Sequence, residues 1–331
     1  MSQAVQITEW APARWQDHVS LAQNARPKPA AGEVLIRFVL RPVLPYNVIE
    51  LRGKLGPNQP LPYVPGTEGL AVVEEPAAGS SKFKQGQRVL PGPFALKRGS
   101  GSWQQFVALP EEDLLPVPDS VSDAAAAQLW VNPMTAVLML DYLAVPEGEW
   151  LIQTAAGSVL GRILLALAKK RGIRTINVVR RSAAKAQLQS LGADEVIATD
   201  AEDIEQRVHQ ITGGKGAWGA VDAVAGDTTG KLVRSIRAGG TVLVYGILSS
   251  DTFTAPVLEG FGKFVHPFAR PVHMSTWTRE QQLAFCLKVI KLVEDGTIVL
   301  SAGKTFPLER FMEAVAASEE VGQDAKVLLK G

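Results

Sequence analysis

Apolar and polar positions change their spacing along the chain. From Gln3 to about Ser120 the apolar residues come in short runs broken by proline and glycine, the spacing of strands and turns. Glu33 to Leu40, Gly69 to Glu74 and Gln87 to Pro91 read as strands, Gly86 and Gly92 as turns around the last, and Ser102 to Leu109 as further extended chain. Val121 to Leu143 is alanine-rich and helical, interrupted at Asn132-Pro133. Past Gly148 the two periods alternate. Trp150 to Thr154, Thr175 to Val179, Glu195 to Ala198, Gly219 to Ala225 and Gly240 to Tyr245 are expected strands. Gly161 to Arg171, Ala183 to Leu191, Asp203 to Thr212 and Thr228 to Ile236 are the helices between them. That order predicts an α/β fold with a parallel sheet covered on both faces. Phe261 to Trp277 reads as a loop, Gln282 to Glu294 as a helix, and Ala325 to Leu329 as a terminal strand.

The segment from Leu151 to Gly161 carries the strongest chemical signal. Against G-x-G-x-x-G spacing, the small residues are Ala156, Ser158 and Gly161, and an apolar helix follows at once. Small residues there let a strand turn sharply into a helix whose amides face a pyrophosphate, which makes Ala156, Gly157, Ser158, Val159, Leu160 and Gly161 the expected cofactor contacts. The next expected strand ends in Arg180-Arg181, about twenty residues on, where an NAD-binding domain places an acid for the ribose hydroxyls. Two guanidinium groups suit a 2′-phosphate instead, so NADPH is the expected cofactor, with Lys185 adding charge. Gly226, Tyr245 and Gly246 stand at the carboxyl ends of later strands, where open sheets bind ligands; ordinary turns also need glycine.

Composition narrows the partners. The 34 basic and 33 acidic residues nearly cancel, without long runs of either sign, so neither a nucleic acid nor an anionic membrane is expected. No apolar leader or membrane-length segment is evident, and a cytoplasmic protein is expected. Cys286 is the only cysteine and lies at helical spacing; the 4 histidines are scattered, so no metal site is expected.

At this point the chain resembles the medium-chain dehydrogenase/reductase superfamily, in its zinc-free quinone oxidoreductase and mitochondrial-type trans-2-enoyl-thioester reductase branch. Leu61-Pro62-Tyr63-Val64-Pro65-Gly66-Thr67-Glu68-Gly69 is similar to the family's proline–glycine–glutamate turn, and Asn132-Pro133-Met134-Thr135-Ala136 to its hinge helix. Ala156 to Gly161 is similar to its nucleotide loop, and Thr175 to Arg180 to the enoyl-thioester reductases. The resemblance implies a GroES-like β-rich catalytic domain from residues 1–120 and 280–331, embracing a Rossmann domain of residues 121–279. A homodimer is implied as well. Thr67 stands where the zinc enzymes supply a histidine ahead of Glu68, so metal-free reduction of an activated C=C bond in an α,β-unsaturated thioester or ketone is expected. Quinone reduction is the near alternative, and a non-catalytic NADPH-binding protein the distant one.

The family's proton-donating tyrosine position is Leu55 here. Tyr46 is the candidate replacement, either as donor or as an aromatic lining residue, and Asn47 stands where the reductases have aspartate, either facing the nicotinamide ribose or capping a helix. Asn132 and Thr135 are expected at the nicotinamide end. Tyr63, Trp130, Phe264 and Trp277 are expected to line the site of a small-molecule electrophile, and Arg270 either pairs with an acidic substrate group or is a surface charge.

Overall fold

The structure, a computed structural model, describes residues 1–54, 60–97, 99–320, 322 and 324–331. Leu55, and the expectation attached to it, lies outside the described residues. The chain divides into two units, Met1–Val131 with Val299–Gly331, and Asn132–Ile298. Residues 121–131 therefore go with the first unit and 280–298 with the second, later in both cases than expected.

The first unit runs β1 (Ser2–Ile7), β2 (Val19–Asn24), β3 (Glu33–Pro42), α1 (Pro45–Leu51), β4 (Leu70–Glu75), β5 (Arg88–Pro91), β6 (Phe106–Pro110), β7 (Leu114–Pro116) and α2 (Asp123–Ala126). After the second unit, the end of the chain adds β14 (Ala302–Pro307), α10 (Phe311–Ser318) and β15 (Lys326–Lys330). The sheet order is β14-β15-β3-β4-β5-β7, with β6 also on β3, and β1 pairs with β2 apart from it. β15 lies antiparallel to β3, with Leu328 opposite Pro42. Arg41 on β3 is wholly buried, its guanidinium donating to the Gly331 carbonyl at 3.1 Å and the Gln104 carbonyl at 2.9 Å. A buried guanidinium needs such acceptors, so this one ties the chain's end into the first sheet. Glu68 draws residues 130 and 131 into the same unit: its Oε2 accepts the Trp130 amide at 2.7 Å and the Val131 amide at 3.0 Å.

The second unit runs α3 (Asn132–Leu143), β8 (Trp150–Thr154), α4 (Val159–Lys170), β9 (Arg174–Val179), α5 (Lys185–Ser190), β10 (Glu195–Ala198), α6 (Ile204–Thr212), β11 (Ala217–Asp222), α7 (Asp227–Ser235), β12 (Ile236–Val244), β13 (Phe264–Pro267), α8 (Arg270–His273) and α9 (Arg279–Glu294). Its strands pair in parallel in the order β10-β9-β8-β11-β12-β13. Connections leave β8 toward β9 and β10, then resume at β11 on its other side, so the order reverses between β8 and β11. This is the crevice in which doubly wound sheets take ligands.

Two expectations for this unit change. The stretch from Phe261 to Trp277 is not one loop, because Phe264–Pro267 adds the edge strand β13 beside β12 and Arg270–His273 is helical. An exposed four-residue edge strand ending in proline carries little alternation, which hid it in the sequence. Helix α9 belongs here because Phe285, Cys286, Val289 and Ile290 are buried and Lys288 reaches Asp141 of α3 at 3.0 Å. No helix among the described residues is long and apolar enough to cross a membrane.

Candidate functional site

In the second unit the site grows from the turn after β8. Gln153 and Thr154 end the strand, and Ala155 takes a left-handed conformation with φ +49°. Its carbonyl accepts the Ser158 amide at 2.9 Å, closing the turn. Ser158 caps α4, its hydroxyl accepting the Gly161 amide at 3.1 Å, which leaves the amides of Val159 and Leu160 at the open head of a twelve-residue helix. Gly161 has no room for a side chain: a Cβ would sit 2.5 Å from the Ala156 carbonyl oxygen. A Cβ on Gly157 would meet nothing within 4 Å, so the outer side of the loop is open. An inward-packed Gly161, an open Gly157 and a helix head beside them form a cradle that fits a pyrophosphate.

β9 delivers Arg180 and Arg181, both exposed, just beyond Val179. The acids nearby are engaged elsewhere. Asp200 accepts the Ser182 amide at 2.9 Å and hydroxyl at 2.7 Å, which hold its carboxyl below the usual range. Glu202 accepts the Ala198 amide and pairs with Lys185 at 2.5 Å, and both contacts lower it likewise. Lys185 is thus neutralised by Glu202 and adds little to the expected clamp.

At β11 and β12 the turns crowd together. Gly226 (φ +62°) heads α7, following Ala225 at φ +64°. A Cβ on Gly246 would lie 2.6 Å from the Ala223 carbonyl oxygen. The Tyr245 hydroxyl is buried with no hydrogen-bond partner among the described residues, and burial, with Asp222 adding to it, pushes its pKa above the ordinary tyrosine value. Asn132 and Thr135 both lie buried in the first turn of α3, a helix buried on nearly every face. Phe264 and Trp277 fall on one aromatic chain: Phe264 stacks on His266, His266 and His273 pack edge-on to Tyr142, and His273 and Phe285 pack against Trp277. Arg270 is buried, not a surface charge, beside the Cys286 thiol, whose pKa burial pushes up to about 12.

The first unit corrects the side-chain expectations. Asn47 is fully buried, its Oδ1 accepting the Leu44 amide at 3.0 Å and its Nδ2 donating to Glu50 Oε2 at 2.9 Å. It is therefore the helix-capping residue of α1 and has no face for a nicotinamide ribose. Tyr63 is buried, donates its hydroxyl to Glu50 Oε1 at 2.7 Å and packs edge-on to Trp10, so it lines no open site. Trp130 is only 1% exposed and its indole donates to the Pro91 carbonyl at 2.7 Å, which removes it as a substrate wall. Tyr46 differs from all three: it is 41% exposed on α1. Sequence reasoning passed over Glu50, the carboxylate that organises Asn47 and Tyr63, and it passed over Thr154 and Asp222 at the sheet's reversal point. Polar residues inside a central parallel strand were the available signal.

Residues 30–119 match the family described as alcohol dehydrogenase GroES-like domain, and residues 159–264 that described as zinc-binding dehydrogenase. Zinc itself finds no fit: no group of three or more His, Cys, Asp or Glu that could hold a metal ion occurs among the described residues, and Glu68 binds two backbone amides. The mitochondrial enoyl-[acyl-carrier-protein] reductase of Xenopus tropicalis is 29% identical over 303 residues, 88% of this chain and 85% of that protein. A solved structure described as a putative NADPH:quinone reductase from Bacillus thuringiensis superposes with a TM-score of 0.88 at 28% identity, covering 100% of this chain and 99% of that one. The Escherichia coli quinone oxidoreductase complexed with NADPH shares the fold over the full length of both chains, with a TM-score of 0.86 at 21% identity. With its GroES-like and Rossmann-like parts in this order, the chain belongs to the medium-chain dehydrogenase/reductase superfamily of oxidoreductases, related to the zinc-independent quinone oxidoreductases and mitochondrial enoyl reductases.

Proposed function

We propose that this chain is an NADPH-dependent reductase of a small conjugated acceptor, a quinone first, and that it works without a metal. The observation that carries the quinone reading is the end-to-end likeness to the putative NADPH:quinone reductase, with 100% and 99% of the two chains covered. NADPH is supported by the cradle of Gly157, Ser158 and Gly161 and by the exposed pair Arg180 and Arg181, whose neighbouring acids are already engaged. When bound, NADPH supplies a hydride from its nicotinamide ring. The chain's part is to hold the pyrophosphate on the head of α4, grip the 2′-phosphate with two guanidiniums, and orient the acceptor. Tyr46 is the proposed proton donor, being the exposed tyrosine of α1. Phe264 and Trp277 are the proposed apolar contacts of the acceptor.

A second reading, reduction of α,β-unsaturated thioesters or ketones, is favoured by the mitochondrial enoyl reductases, which match 88% of the chain at 29% identity. NADPH oxidation with a benzoquinone, an enone and a crotonyl thioester separates the readings. Quinone turnover without thioester turnover supports the first; thioester turnover alone overturns it. A homodimer is also proposed, through the outer edge of β13, which pairs β12 on one side and follows the exposed Val257, Leu258 and Phe261. Light scattering tests it, and Phe261→Asp is expected to shift dimer to monomer.

A further inference from the structure

The middle of the second sheet holds more buried polar side chains than a parallel sheet needs. Gln153 and Thr154 end β8, and Asp222 ends β11, all buried, at the point where the strand order reverses. Asp222 is wholly buried. Its Oδ1 accepts the Thr154 hydroxyl at 2.8 Å and the Val224 amide at 2.9 Å; its Oδ2 accepts the Thr229 hydroxyl of α7 at 2.8 Å. The Thr154 hydroxyl in turn accepts the Ala223 amide at 2.8 Å. The four hydrogen bonds form one knot joining β8, β11, the turn after β11 and the first turn of α7.

That knot sits between two strained turns. Ala155 directly follows Thr154, and Ala225 lies three residues past Asp222; both hold left-handed φ values, +49° and +64°, without being glycine. A left-handed alanine crowds its Cβ against the backbone and persists only where its surroundings over-determine it. A carboxylate buried without a cation is costly as well, unless it is fully hydrogen-bonded. Asp222 meets that condition with three hydrogen bonds, and two strained turns tied to one such group, beneath the crevice between β8 and β11, call for a role beyond packing.

We propose that Thr154, Asp222 and Thr229 are positioning residues for the nicotinamide nucleotide: they touch no ligand themselves, but set the spacing between the turn after β8, which leads into the pyrophosphate cradle, and the turn after β11. This rests on the NADPH reading above and names the part of the chain that preorganises that site. The network acts through backbone, so its loss should weaken nucleotide binding out of proportion to its loss of stability. Thr212 provides the comparison, a hydroxyl in the same unit just before β11, at the other end of that strand from Asp222, that donates to the Val208 carbonyl at 2.8 Å and accepts the Gly216 amide at 3.0 Å.

The test is direct NADPH titration of the full chain by energy transfer from tryptophan, with thermal unfolding of each variant. Thr154→Val removes both hydroxyl contacts at constant shape and is expected to raise the NADPH Kd about tenfold, part of the loss of two buried hydrogen bonds falling on stability instead. Thr212→Val should lower Tm comparably yet leave Kd within about twofold, and Thr154→Ser, which keeps the hydroxyl, should restore wild-type binding. Should Thr154→Val bind NADPH as the wild type does while losing Tm like Thr212→Val, the network is structural and the inference fails alone. Should the wild-type chain bind no NADPH, the nucleotide reading fails and takes this inference with it. Thr229→Val gives an independent arm if Thr154→Val does not fold, with the same expected rise and the same unchanged Kd counting against the proposal.

Discussion

The turn after β8 and the helix α1 each presented a run of candidate residues, and they resolve in opposite ways. Around β8 the useful groups are backbone amides, and the side chains matter by being small: Gly161 packs on Ala156 and Gly157 faces open space. Around α1 the useful groups had to be side chains, and Asn47 and Tyr63 turn inward to Glu50. Sites made of backbone survive as patterns of residue size, whereas sites made of side chains depend on which way each one faces. A helix of seven residues with proline at its start does not announce that direction.

The sharpest way to break the contrast is Gly161→Val, which puts a branched side chain where even a Cβ lies 2.5 Å from the Ala156 carbonyl oxygen. NADPH affinity should fall by about a hundredfold or more; retention within a few-fold would detach the loop from the nucleotide. Next comes the Arg180→Ala, Arg181→Ala pair, expected to lower the preference for NADPH over NADH about thirtyfold, read from the two Kd values. An unchanged ratio removes the arginines from the phosphate. Tyr46→Phe is expected to cost about tenfold in kcat with little change in NADPH Kd; full activity would reduce Tyr46 to a surface aromatic.

Tyr63→Phe sharpens the other side of the comparison. It strips a buried hydrogen bond from Glu50, so about 1–2 kcal/mol of stability should be lost in urea unfolding while kcat stays within about twofold. A large kcat loss in a stable variant would return Tyr63 to the active site. The smallest effect concerns Lys326, whose amine burial pushes down to about 8, Glu68 opposing the shift. The unfolded chain then holds this proton more tightly than the folded one, so its penalty is complete below pH 8 and fades as pH climbs toward the ordinary lysine value of 10.5. Stability relative to Lys326→Met should therefore rise by about 1 kcal/mol between pH 9 and 10, and a flat difference would show that the ammonium is solvated.

Much of the second unit was readable in advance because βαβ repetition is local. Trp150 to Thr154 and Glu195 to Ala198 fall where the strands are, and Ser158 marks the head of α4. The pairing of β1 with β2 was not readable, since a separate two-stranded sheet between proline-rich segments depends on contacts such as the Val5 amide with the Trp103 carbonyl. Nor was the boundary between units, which turns on Glu68 holding residues 130 and 131 from more than sixty positions away. The Thr154–Asp222 bond shows the same limit, joining two strand ends 68 residues apart.

Cys286 leaves a practical legacy. The chain's one thiol is buried in α9 and lifted to about 12, so at neutral pH almost none of it is thiolate and reagents find nothing to attack. The native protein is thus expected to be a blank for thiol reagents. A single cysteine introduced at an exposed place such as Val299 would be the only reactive thiol in solution, able to carry a fluorophore or spin label without first removing a native residue.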